Sequence, residues 1–329
     1  MKDPNLRIAV VIPSYRVRDR IVDVIGGIGS EVCAVYVVDD ACPDGTGAYV
    51  EERCGDGRVV VLRNERNQGV GAAVMRGYQA ALAAGMDIIV KVDGDGQMDP
   101  RLIPAFVAPI AAGEADYVKG NRFFSLENLH GMPVTRLLGN AALSFMTKLS
   151  SGYWDLFDPT NGYTAIHAEV AKRLPFAKIS QRYFFESDML FRLNTLRAVV
   201  VDVPMEAKYG DEASHLRIHR VIAEFCVKHP RNFLKRLFYN YYLRDMSVAS
   251  VEMPLGLAML AFGVIFGIRH WVNSWRNGEV TSAGTVMLAA ITVIIGIQFL
   301  LASLAYDIAS VPRHPLHRKL QKLRGGDAA

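Results

Sequence analysis

The sequence contains no closely spaced cysteine pair. Its four cysteines are Cys33, Cys42, Cys54 and Cys226, with no CxxC among them. Reduced thiols in a cytosol-facing protein are therefore expected. Charge of one sign is scarce too: 37 Lys and Arg stand against 33 Asp and Glu, a net +4. That balance is too mild to argue for nucleic acid as a partner. No GxxxxGK[ST] occurs, which removes a P-loop, and neither HExxH nor GxSxG is present. "GVGAAV" carries only two of the three glycines of a dinucleotide fingerprint and does not directly follow a strand. The opening "MKDPNLRIAVVIPSYR" lacks the apolar stretch and small-residue cleavage site of a signal peptide, and Ile8 to Ile12 reads as a first strand.

What is present, up to about Arg217, is an alternation of strand-like runs with helical patterns. The strands are expected in "RIAVVIP", "VCAVYVVDD", "RVVVLRN", "DIIVKVD", "ADYVKGNR" and "AVVVDVP". Runs this continuously apolar suit a mostly parallel sheet flanked by helices, an α/β fold. Ligands in such folds bind at the carboxyl ends of the strands, where "VVDDACPDGT" and "VDGDGQMD" fall.

Past residue 250 the composition is that of a membrane. Gly284 to Tyr306 carries no formal charge. At about 1.5 Å per residue it is long enough to cross a hydrocarbon core of about 30 Å. Pro254 to Ile268 extends through Trp271 and Val272 if Arg269 and His270 snorkel. Two spans, about 254–272 and 284–306, are expected as an antiparallel hairpin within 251–310. Lys228, Arg231, Lys235, Arg236 and Arg244 precede it and Arg313, Arg318, Lys319, Lys322 and Arg324 follow, while the linker holds only Arg276 against Glu279. The positive-inside rule then puts both termini in the cytoplasm and makes the chain a multi-pass protein of the inner (cell) membrane. Between the two parts, residues 217–250 read as amphipathic juxtamembrane helices interrupted at Pro230, with basic residues beside apolar stripes. A basic tail occupies 311–329.

The loop after "IIVKV" places Asp93, Asp95, Gln97 and Asp99 within a few residues, and carboxylates this close must be compensated or used. An EF-hand starting at Asp93 fails, because Met98 and Pro104 stand where Gly and Glu are required. What remains is an Asp/Asp pair at a strand end, rich in oxygen and free of thiol or imidazole. Such a pair suits Mg²⁺ or Mn²⁺ bridging to a substrate diphosphate, although a solvated turn would look the same in isolation.

Further along, "VVIPSY", "VVDDACPDGT", "NERNQGVGAA", "VDGDGQMDP", "GNRF" and "DPTNGY" follow one another in order. Over roughly residues 7 to 216 the sequence resembles the family 2 glycosyltransferases of GT-A, Rossmann-like fold. Within them it is similar to the polyprenyl-phosphate glycosyltransferases typified by dolichyl-phosphate mannose synthase. The resemblance implies a glycosyltransferase domain over 1–216. Pro13, Tyr15, Asp39, Asp40 and Asp93 would line the nucleotide pocket, and Asp93, Asp95 and Gln97 would hold Mg²⁺ or Mn²⁺ on the donor diphosphate. Arg122 and Arg136 would face the acceptor phosphate, and Asp158 would lie by the donor sugar, so Asp95, Asp158 and Arg122 are the catalytic candidates. The implied donor is a UDP- or GDP-linked sugar, the implied acceptor a polyprenyl (undecaprenyl or dolichyl) phosphate in the lipid membrane. The implied product serves cell-envelope glycan or glycolipid synthesis. A homo-oligomer is left open.

Departures from the family pattern are local. "PTYNE" reads "PSYRV", so Arg16 and Val17 replace an amide and an acid. "DDGS" reads "DDAC", which puts Ala41 where the loop would be more flexible, and the later "RxxGxSK" reads "YGDEASH". Tyr209 and His215 thus replace Arg and Lys, with Lys208 as a substitute cation. A polyprenyl phosphate is already anionic and needs no general base, and one in-line displacement would invert the anomeric centre. Two other readings stay open. A transferase extending a lipid-diphosphate-linked saccharide would need a base, for which Glu186 or Asp188 of "FFESDML" are candidates, either of which could instead cap a helix or lie on the surface. A non-catalytic nucleotide-sugar-binding membrane protein would keep the fold without turnover.

Overall fold

The computed structural model describes residues 6–124, 134–206 and 218–326. The chain divides into two units, one comprising residues up to Phe233 together with those from Pro312 onward, the other Leu234–Val311.

The first unit is built on strands β1 (Ile8–Ser14), β2 (Val32–Asp39), β3 (Val59–Arg63), β4 (Ile88–Lys91), β5 (Tyr117–Asn121), β6 (Thr164–His167) and β7 (Val200–Pro204). They form one sheet in the order β3-β2-β1-β4-β6-β5-β7. β1, β2, β3 and β4 run parallel, as do β5 and β7, whereas β6 pairs antiparallel with both β4 and β5. The expected mostly parallel sheet is therefore present, with one reversed strand in its middle. β1 is buried along almost its whole length, because helices α1 (Arg18–Gly26), α3 (Val70–Ala83) and α4 (Ile103–Ala111) shield the sheet.

Register explains where the site forms. Ser14 pairs with Asp39 and Val11 with Lys91. The loops leaving β1, β2 and β4 thus emerge side by side at one edge. Among the described residues, three of the four non-glycine residues with left-handed backbone lie at such positions or in the 158–162 turn: Arg16 at φ 59°, Ala41 at 52° and Asp158 at 49°. Side chains rarely accept this conformation, and it concentrates where loops are constrained for function.

On the far side of the unit, helix α11 (Leu316–Gly326) returns to the sheet. Asp116 accepts the backbone N–H groups of Leu316 and His317 at 2.7 and 2.9 Å and lies 2.7 Å from His317 Nδ1. The His317 ring stacks on His167 at 4.3 Å.

The second unit is dominated by α9 (Val248–Asn277) and α10 (Ala283–Ala309), both long and apolar enough to cross a membrane. Their most apolar windows are only 11% and 6% buried. A soluble fold's core helices would be mostly enclosed, so these two present their apolar surface outward. They pack antiparallel: Gly263 meets Ala289 and Val293, while Gly256 meets Gly296 and Leu300. A Cβ on Gly296 would lie 2.8 Å from the Leu260 nitrogen, so only glycine permits this approach. Both helices overrun the expected spans at each end. Within this unit Arg236, 1% exposed, pairs with both oxygens of Asp307 at 2.6 and 2.9 Å.

One expectation is corrected. Helix α8 (Ile218–Phe238) runs unbroken through Pro230. A proline inside a helix forfeits one backbone hydrogen bond. The turns leading into it are nevertheless anchored. Phe225 packs edge-on against Phe184, and His229 Nδ1 lies 2.8 Å from Ser150 Oγ.

Candidate active site

At the shared edge of β1, β2 and β4 opens a cavity of about 590 Å³. The β1 loop contributes Pro13, Ser14, Tyr15 and Val17, the end of β2 gives Asp40, and β4 with its loop gives Lys91, Asp93 and Asp95. The approach to and start of α7 (Phe185–Thr195) close it with Arg182, Tyr183 and Glu186. Five of the expected residues, Pro13, Tyr15, Asp40, Asp93 and Asp95, thus meet around one space.

Others do not line it. Asp39 spends its carboxylate on the backbone, accepting from Cys42 and Gly47 at 2.7 Å each. Asp40, by contrast, both faces the cavity and pins the next loop, accepting from Gln68 and Gly69 N–H at 2.9 and 2.7 Å. Gln97 lies behind Asp95 and donates its N–H to Asp95 Oδ1 at 3.0 Å. Asp99 caps the following turn and pairs with Arg101. Arg136 belongs to α5 (Val134–Ser151), but its side chain lies outside the described residues, as do Lys208, Tyr209 and His215.

The cavity floor carries a residue that the sequence motifs did not suggest. Lys91, 1% exposed, is 2.8 Å from Asp93 Oδ1 and 3.7 Å from Glu186 Oε1. Burial works against its ammonium, yet Asp93 and Glu186 outweigh that and hold its pKa above the ordinary lysine value. Burial pushes the Glu186 carboxyl up, with Lys91 pulling only partly the other way. Gly162 of "TNGY" packs directly against the pair: a Cβ there would stand 2.6 Å from Asp93 Oδ2 and closer still to the Lys91 ammonium. The signal for Lys91 was a cation inside an otherwise apolar buried strand, two residues before the first aspartate.

Glu186 and Asp188, equal in the sequence, separate in the structure. Asp188 turns from the cavity to accept Ser180 N–H at 2.8 Å and Asn232 Nδ2 at 3.0 Å. Glu186 faces the cavity.

Asp158 and Arg122 form a second constellation outside the cavity. Arg122 Nε and Nη2 each donate to Asp158 at 2.7 Å, and Asn161 adds a bond at 3.1 Å. Lys119, fully buried, donates to the Asp158 carbonyl. Burial would raise the Asp158 carboxyl, but the Arg122 hydrogen bonds and the Lys119 charge hold it below the usual range. Nearby Asp202 is pushed up to about 6 by burial.

The cavity wall offers donors of the type that hold a hard divalent cation. Asp93 and Asp95 are hard oxygen donors on one wall, and Mg²⁺-type ions take one or two carboxylates and complete their shell with water and substrate phosphate. Among the described residues no group of three His, Cys, Asp or Glu converges, so a closed, all-protein cage is not formed. The donor set fits a cation shared with a substrate.

Comparison with known proteins gives the chain's family and relatives. The model of the family described as "Glycosyl transferase family 2" matches residues 9–174. The chain is 31% identical over 204 residues to undecaprenyl-phosphate mannosyltransferase of Micrococcus luteus, covering 61% of this chain and 83% of that protein. It is 30% identical over 207 residues to polyprenol monophosphomannose synthase of Mycolicibacterium smegmatis, at 61% and 77% coverage. A third relative, UDP-N-acetylglucosamine–dolichyl-phosphate N-acetylglucosaminyltransferase of Methanococcus voltae, is 28% identical over 218 residues, at 62% and 86%. In fold, the chain is similar to glucosyl-3-phosphoglycerate synthase from Mycobacterium tuberculosis in complex with UDP. The TM-score is 0.53 and the identity 20%, with 70% of this chain and 80% of that one covered.

Proposed function

This chain belongs to glycosyl transferase family 2, and on that premise we propose that it moves a hexose from a nucleotide-diphosphate sugar to a polyprenyl phosphate, with inversion. The observation that carries the reading is the cavity that gathers Tyr15, Asp40, Asp93 and Asp95 at the carboxyl ends of parallel strands. The named relatives support the acceptor, since all three carry a polyprenyl-type phosphate in their names, while two name mannose and one N-acetylglucosamine as the sugar.

In this reading Pro13, Tyr15 and Asp40 receive the nucleoside, and Asp39 braces the loop beneath it. Asp93 and Asp95, with Gln97 supporting Asp95, hold Mg²⁺ or Mn²⁺, which when bound neutralises charge gathering on the departing diphosphate. Lys91 keeps Asp93 and Glu186 from repelling each other and so fixes both side chains before donor arrives. Glu186, beside the sugar position, accepts hydroxyl hydrogens and orients the ring. Asp158 acts through Arg122: the two parallel bonds fix the plane of the guanidinium, which with Arg136 takes the acceptor phosphate. The acceptor oxygen is already anionic, so no proton need move before attack.

In this reading the hairpin α9–α10 keeps the enzyme with its lipid, and the Lys/Arg bias around it supports a cytoplasmic catalytic domain with both termini on the same side. One observation favours a second reading. A buried carboxyl raised above its ordinary value, as at Glu186, suits a general base for a hydroxyl of a lipid-diphosphate-linked saccharide.

The test supplies purified enzyme with a panel of UDP- and GDP-sugars and one of three acceptors: undecaprenyl phosphate, the free alcohol, or a lipid-diphosphosaccharide. Mass spectrometry follows the product. Sugar on the monophosphate alone is expected; product only from the diphosphosaccharide selects the second reading, and none from any acceptor removes both.

A further inference from the structure

Next to Arg122 the first unit exposes a chain of aromatic rings that the catalytic cavity does not use. Phe123 meets Phe157 edge-on at 5.9 Å, and Lys148 Nζ sits 5.5 Å from the Phe157 ring. The same ammonium donates to the Trp154 carbonyl at 2.7 Å, and Trp154 meets Phe145 at 6.3 Å. Phe124, Phe145 and Phe157 are 69%, 54% and 44% exposed. The rings are held in place: Phe157 N–H donates to Asp202 at 2.9 Å, and Phe145 and Lys148 stand on α5. Arg122 lies 5.8 Å from the Phe123 ring.

Fixed, contiguous aromatic rings facing water are costly unless something covers them. Their company identifies the cover. Phe and Trp side chains beside Arg and Lys make the kind of surface that lies in the headgroup layer of a bilayer, rings toward the acyl chains and cations among the phosphates. Position gives an independent argument, which rests on the proposed function. The phosphate of a polyprenyl phosphate stays at the headgroup level, so the surface surrounding the arginine that receives it must come to that level as well.

We infer that the band Phe123, Phe124, Phe145, Trp154 and Phe157, with Lys148, is a membrane-docking surface that seats the rim of the acceptor site in the lipid interface. It would bring Arg122 to the acceptor phosphate, so the lipid need not rise into water.

The experiment uses the full chain in phosphatidylcholine/phosphatidylglycerol vesicles. The protein has three tryptophans. Replacing two of them, Trp271→Phe and Trp275→Phe, leaves Trp154 as the sole reporter. A spin label on the lipid headgroups should quench at least half of its emission, and aqueous iodide should quench little. Quenching by iodide with none from the headgroup label overturns the inference and points to solvent or a protein partner instead. A second arm measures Phe145→Ser with Phe157→Ser. The acceptor KM should rise roughly three- to tenfold, the loss expected for two interfacial rings, with the donor KM unchanged. An unchanged acceptor KM also overturns it. The fluorescence arm needs no turnover. Quenching in a protein that ignores polyprenyl phosphate would therefore retain the docking surface and remove the function reading alone.

Discussion

Two sets of carboxylates in the first unit are used in opposite ways. Asp93, Asp95 and Glu186 face one cavity, and the one buried cation among them, Lys91, is shared between Asp93 and Glu186. Asp158, Asp188 and Asp116 are saturated by their own surroundings: Arg122 for the first, Ser180 and Asn232 for the second, His317 and backbone N–H groups for the third. An aspartate in a motif can belong to either set. What separates them is whether the carboxylate lines the cavity or is turned into the packing around it. The open set should report in turnover and the closed set in stability, and each prediction presses on that division.

The largest expected effect is on the open set. Asp95→Ala should lower turnover by about 1,000-fold, the scale of losing a main electrostatic stabiliser of the departing diphosphate. Its thermal midpoint should stay near wild type, measured by a fluorescence melt of the detergent-solubilised protein. Chelator should then have no further effect on the residual rate. A large drop in melting temperature with Asp95→Ala would place this residue in the closed set.

Next comes the mirror experiment. Asp158→Ala removes the partner of Arg122 and the charge beside buried Lys119, and loss of a charged hydrogen-bond partner that is partly exposed costs about 2 kcal/mol. The melt should fall accordingly. Retained stability with lost turnover would move Asp158 to the sugar, where its motif alone had suggested it. Smaller still is Arg122→Lys, which keeps the charge but loses the two-bond fork. The acceptor KM should rise about fivefold with little change in the donor KM, since one forked contact contributes on the order of 1 kcal/mol. An equal rise in both would show that Arg122 serves the cavity as a whole.

Much of this was legible in the sequence. The six expected strands are six of the seven present, because apolar runs buried on both faces leave a plain signature. β6 escaped because "TAIH" is four residues long and sits inside a motif-rich stretch where hydrophobic periodicity cannot develop. The hairpin was legible by length and the lack of charge. Pro230 was misleading: proline predicts a break, but tertiary contacts at Phe225 and His229 carry the helix past it. In the site, Asp93 and Asp95 were legible because a local spacing encodes them. The division of labour between Glu186 and Asp188 was not, since it depends on Asn232 of α8 and on Lys91 of β4, both remote in sequence. The same holds for Asp158, whose partner arrives from the end of β5.

The smallest effect tests the closed set by pH. His167 is pushed down to about 4, chiefly by burial and then by the neighbouring His317, with Asp116, Glu169 and Asp87 pulling weakly the other way. Its Nδ1 accepts Glu169 N–H at 3.1 Å and so must stay unprotonated. The ordinary value of 6.5 applies once the chain unfolds. Between these values the unfolded chain binds the extra proton and the folded one does not, so stability falls as pH drops. The contribution is complete above about 6.5 and is lost progressively toward about 4. From pH 7.5 to 5.5 the loss from this one group should be about 1 kcal/mol. His167→Asn keeps a side-chain acceptor for the helix start but does not titrate. Its melting temperature should therefore fall less than wild type's over the same pH interval, by a few degrees. Identical pH slopes would mean that His167 is already hydrated in the folded protein, and that the α11 end of the unit is looser than the stacked rings and the Asp116 hydrogen bonds indicate.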